Sequence, residues 1–121
     1  MPTFRALSVT DVYELGDLAD AVQAEVEAAY PEVFATNEDG SLANPTHPRR
    51  VRAAQRIHIE GEIIPAVLVA WEGDDTPTAA ALMRDYQALM EYARAVRKVN
   101  PFLTALPEPR EEEGNAVAPV G

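Results

Sequence analysis

The run from Thr76 to Pro101, TPTAAALMRDYQALMEYARAVRKVNP, limits what this chain can fold into more than any other stretch. Leu82, Tyr86, Leu89, Ala93 and Val96 recur at spacings of four, three, four and three, which is one stripe of an α-helix, and Met83 and Met90 widen it. Thr76 offers an N-cap hydroxyl, and Pro77 suits a first turn whose N–H needs no partner. Arg94, Arg97 and Lys98 gather in the last turn, where the helix dipole favours cations. Asn100-Pro101 ends the helix, because a residue before proline avoids the helical region. One helix with one apolar side over the whole run needs other apolar faces to bury against.

Those faces are supplied upstream. Met1 to Ser8 reads as an extended arm with Phe4 and Leu7 as anchors. Ser8-x-x-Asp11 is a capping pattern for a helical turn to about Leu15, and Gly16-Asp17 is a point where the helix breaks or is capped again. Ala19, Val22, Val26, Ala29 and Tyr30 then resume the helical stripe until Pro31 stops it. Phe34 to Pro48 is a loop, since Asn37, Asp39-Gly40, Asn44-Pro45 and His47-Pro48 are turn formers in close succession. A third helix begins after Pro48 and runs through Ile59. Residues 57–71, IHIEGEIIPAVLVAW, read as helix interrupted at Gly61 and restarted near Pro65. A strand or strand pair is the alternative, because Ile57 and Ile59 alternate with His58 and Glu60. Pro65 argues against a central strand. The expected fold is a mainly α small helical bundle over residues 1–106, with an extended N-terminal arm and an acidic, Pro-rich C-terminal tail over 107–121. The alternative is an α+β fold.

Composition narrows the function. The chain of 121 residues carries a net charge of −10, which disfavours non-specific grip on nucleic acid or an anionic membrane surface. Nine of its ten basic residues are arginine. With no cysteine there is no disulfide, thiolate nucleophile or Cys-ligated zinc. The opening MPTFRALSVTD has no charged-then-apolar leader pattern, and the apolar run Ile63–Trp71 is far too short to span a bilayer, so a soluble chain is expected.

No stretch carries a recognisable catalytic or metal-binding pattern. His58 with Glu60 and Glu62 lacks a second His at ligand spacing, and Ser8 and Ser41 lack a nucleophile-elbow context. No enzyme activity and no cofactor are expected. The one unusual cluster is basic: Arg49, Arg52 and Arg56 share a helical face at spacings of three and four. It reads either as a docking face for carboxylates, those of Glu111, Glu112 and Glu113 in a neighbouring copy among them, or as a solvated face pairing locally with Glu60 and Glu62. Alone, the tail has only Val117 and Val120 to bury and is expected to gain structure on another chain.

The order of these features resembles that of small head–tail connector (adaptor) proteins of tailed bacterial and archaeal viruses, Mu-type connectors among them. LADAVQAEVEAAYPEVF is similar to their opening core helix. NPTHPRRVRAAQRI is similar to the Pro-rich approach to a second core helix, and DDTP precedes a helix of the type MRDYQALMEYARAV, followed by NPFLTAL. Gly61 and Pro65 depart from that pattern. IIPAVLVAWEG is similar instead to a strand of tail terminator or tail completion proteins, which have an α/β fold. The resemblance implies a homo-oligomeric ring in the virion neck, assembled in the host cytoplasm between the portal protein and a stopper or tail protein. DNA would pass through such a ring without specific binding, and no membrane is involved. A small helical regulatory interaction module is a further alternative.

Overall fold

The structure, a computed structural model, describes residues 2–109. Its first helix, α1 (Val9–Ala29), opens on the expected capping box. The Asp11 N–H donates to Ser8 Oγ at 3.1 Å, and the Ser8 N–H donates to Asp11 Oδ2 at 2.9 Å. The expected break at Gly16 does not occur, and α1 runs unbroken for 21 residues. Glycine costs a helix only about 1 kcal/mol relative to alanine, which the packing of half-buried Leu15, Ala19 and Val22 and of buried Val26 outweighs. Tyr30 ends α1, and Pro31 opens the single turn α2 (Pro31–Phe34).

Residues 57–70 are helical, Trp71 is the extended residue that ends them, and the strand alternative is not realised. Helix α3 (Arg50–His58) passes into a π-helical segment (Ile59–Ile63) and then into α4 (Ile64–Ala70). Among the described residues there is no strand, only isolated bridges between Phe4 and Trp71 and between Thr36 and Leu42. Pro65 explains the widened turn. It has no N–H for the Gly61 carbonyl and would crowd it in a regular α-helix. The ladder opens by one residue instead, so that the Ile64 N–H donates to the Ile59 carbonyl. Ile63, Ile64, Ala66, Val67 and Ala70 are all buried. A segment buried on nearly every side gives no clean amphipathic period, which is why its sequence also resembles a strand. Gly61 lets α1 lie close, since a Cβ there would sit 3.4 Å from Val22 Cγ1 and 3.8 Å from Ala19 Cα.

The run expected as one helix from Thr76 is two: α5 (Ala79–Met83) and α6 (Tyr86–Val99). Thr78, not Thr76, caps α5 by accepting from the Ala81 N–H at 3.1 Å. Asp85 causes the break. Its carboxylate accepts from the Ala88 N–H at 3.0 Å, an N-cap bond that competes with continuing the helix through Asp85. Leu82, Leu89, Met90, Ala93 and Val96 still face inward, whereas Met83 and Tyr86 turn out to solvent, 56% and 63% exposed.

The main core joins α4, the π segment, α5 and α6 with Phe4 and Leu106, and a smaller cluster of Val26, Val33 and Ala53 binds α1, α2 and α3. The N-terminal arm is anchored through Phe4 as expected, and Leu7 packs on the core edge. Phe4 meets Trp71 edge-on at 5.5 Å between ring centres, and Trp71 meets Tyr92 edge-on at 5.4 Å. Polar bonds fix the same arm. Arg5 forks onto Asp11 at 2.7 and 2.9 Å and donates to the Val69 carbonyl near the end of α4. The buried Asn100 accepts from the Leu7 N–H at 2.8 Å and donates to the carbonyls of Arg5 and Val96. Among the described residues, no helix is long and apolar enough to cross a membrane.

Candidate partner-docking site

The basic cluster divides once its geometry is known. Arg49 is the N-cap residue of α3, and Arg50 and Arg52 lie in its first turn. His47 holds that start of the helix: its Nδ1 accepts from the Arg49 N–H at 3.0 Å, while its Nε2 lies 3.2 Å from Glu32. With Nδ1 accepting, the neutral ring carries its proton on Nε2, facing the Glu32 carboxylate. Asn44 donates to the Glu32 carbonyl at 3.0 Å. The loop therefore folds back on α2 and presents Arg49 to solvent.

Arg56 is held within the molecule. It forks onto Glu60, Nε to Oε2 at 2.9 Å and Nη2 to Oε1 at 3.2 Å, and Nη2 reaches Glu25 of α1 at 3.4 Å. The bonds to Glu60 hold its pKa above the usual arginine value. Local pairing thus describes Arg56, and the second local pair is His58 with Glu62 at 3.3 Å. Among the described residues, Arg49, Arg50 and Arg52 enter no ion pair. The remaining docking residues expected from sequence, Glu111, Glu112, Glu113, Val117 and Val120, lie outside the described residues.

Beside Arg52 the structure adds residues that periodicity missed. Arg52, Gln55 and Arg56 of α3, Ile59 of the π segment, and Met83 and Tyr86 line a shallow groove of about 240 Å³. Glu60 lines it too, already bonded to Arg56. Met83 and Tyr86 flank the turn between α5 and α6, so a break that the stripe did not reveal places two large apolar side chains next to Arg52. The sequence signal was the Arg84-Asp85 pair, whose aspartate is a good N-cap.

Other surfaces offer less chemistry. Among the described residues no group of three or more His, Asp or Glu is placed to hold a metal ion. A second groove of about 400 Å³ runs between α1 and α4, lined chiefly by Leu18, Val22, Pro65, Leu68 and Val69. Asp39 accepts from the side chain and N–H of Ser41, which holds its carboxyl below the usual range and explains the NEDGS stretch as a turn.

Comparison with protein-family profiles, with curated proteins and with solved structures finds no match to this chain.

Proposed function

We propose that this chain is a non-catalytic assembly protein, and specifically a head–tail connector of a tailed virus: a subunit of a homo-oligomeric ring in the virion neck, between the portal protein and a stopper or tail protein. The observation that carries the assembly reading is the placement of its outward apolar side chains. Val9 and Tyr13, 68% and 71% exposed, lie at the N-terminal end of α1. Val51, 67% exposed, lies in the first turn of α3, which packs through Ala53 against Val26 at the other end of α1. The two ends of a 21-residue helix are about 30 Å apart. Two different sticky surfaces at opposite ends of one body are what a head-to-tail ring requires, each subunit's first surface meeting its neighbour's second.

The connector assignment within that class is supported by the resemblance of the helix order and by charge. A net charge of −10 gives a channel through which DNA passes without adhering. The test is the mass of the full chain in solution over a range of concentrations, alone and mixed with a portal protein encoded beside it, with electron microscopy of the products. Rings with an open centre, or rings formed on the portal, are expected. A chain that stays monomeric alone and leaves the portal's mass unchanged overturns the proposal.

A further inference from the structure

We infer that the groove beside Arg52 receives the acidic C-terminal tail of a second copy of this chain, Glu111–Val120. This inference rests on the assembly reading and names the contact that would link neighbours.

The groove combines cationic and apolar side chains, and the tail carries the complementary pair, carboxylates followed by valines. Arg52, exposed and without an ion pair among the described residues, lines the groove, and the equally exposed Arg49 stands just before it at the start of α3. Ile59, Met83 and Tyr86 supply its apolar lining. The tail reads Glu111-Glu112-Glu113, then Gly-Asn-Ala, then Val117 and Val120. The lengths agree. From Arg49 to Ile59 is ten residues of helix, about 15 Å. From Glu112 to Val117 is five residues, about 16 Å when extended. The carboxylates therefore meet the guanidinium groups while Val117 covers the apolar lining. Glu60 is the one acid in the groove, and its pairing with Arg56 removes most of its repulsion.

The origin of the tail favours a neighbour. Arg97 fixes its base by donating to the Leu106 carbonyl at 2.6 Å. Leu103, Ala105 and Leu106 line a separate cleft with Leu15, Gly16 and Gly61, and no residue lines both this cleft and the Arg52 groove. The base of the tail at Leu106 thus packs in a cleft separate from the groove that the tail fits.

The native absence of cysteine makes the test clean. The full-length double variant Met83→Cys/Val117→Cys is oxidised under mild conditions and run without reducing agent, with far-UV circular dichroism as a fold control. The expected result is a ladder of disulfide-linked multimers, reduced at least fivefold by Arg52→Glu and restored when Glu112→Arg is added. A disulfide closed within one chain, or no disulfide while light scattering still reports assembly, overturns the tail contact and leaves the assembly reading standing. Loss of assembly in the unmodified chain would instead count against the broader proposal.

Discussion

Replacing Asn100 tests how the arm is held. Its side chain is 2% exposed and satisfies the Leu7 N–H and the Arg5 carbonyl. The Val96 carbonyl also receives the Asn100 backbone N–H at 2.9 Å, so it keeps a partner in Asn100→Ala. Two backbone groups are left bare. At about 1–3 kcal/mol for each unsatisfied buried group the two would sum to about 2–6 kcal/mol, and because both bonds are only part-buried the expected loss is in the lower part of that range, about 2–4 kcal/mol. An unfolding entropy of about 2.1 cal/mol/K per residue makes 3 kcal/mol equivalent to a fall in Tm of about 12 °C for a chain of this length. Thermal unfolding followed by far-UV circular dichroism measures it directly. Asn100→Asp sharpens the case: it keeps an acceptor for the Leu7 N–H but sets a carboxylate against two carbonyls. It should be destabilised at neutral pH and recover part of the loss in acid, where a protonated carboxyl can donate. A Tm loss below about 4 °C for Asn100→Ala would refute the reasoning, because water or a shifted arm would then be satisfying those groups at little cost.

Three further outcomes are expected. Asp85→Ala removes the cap that starts α6 and should cost about 1 kcal/mol in a denaturant titration. Gly16→Ala should raise stability by about 0.5–1 kcal/mol, since its site is mid-helix and a Cβ there meets no atom within 4 Å. The Ser8 backbone N–H, with the Arg5 guanidinium, holds the Asp11 carboxyl below the usual range. Its contribution is therefore complete above about pH 4, near the unfolded carboxylate value, and is lost as pH falls through the lower folded value. The stability loss on acidification should be shallower in Asp11→Asn than in the parent, read as Tm against pH.

Helix positions were legible where one face is buried and the other wet, as in α6, whose Leu89, Ala93 and Val96 all reach the core. The capping residues were legible at Ser8 and Asp11 because the pattern is local. Two boundaries were misread for the same reason: a single residue's preference had to be weighed against packing that the sequence does not display. Packing won at Gly16, where α1 continues, and the local carboxylate won at Asp85, where the helix restarts. The basic face was visible as spacing, yet spacing could not say that Arg56 would be taken by Glu60 and Glu25 while Arg52 enters no ion pair among the described residues. Met83 and Tyr86 looked like core for the same stripe that correctly placed Leu82 and Leu89. The turn at Asp85 rotated them away.

The bonds from Asn100 to residues 5 and 7 put the beginning of the chain next to the end of its last helix. A gene rearranged to join these two regions through a short flexible linker, and opened instead at the exposed turn around Gly40, would change the order of synthesis while keeping every packed helix in place. Such a permuted chain moves both free ends to the loop beside α3, where a fused reporter would stand close to the arginines and signal whatever settles on them.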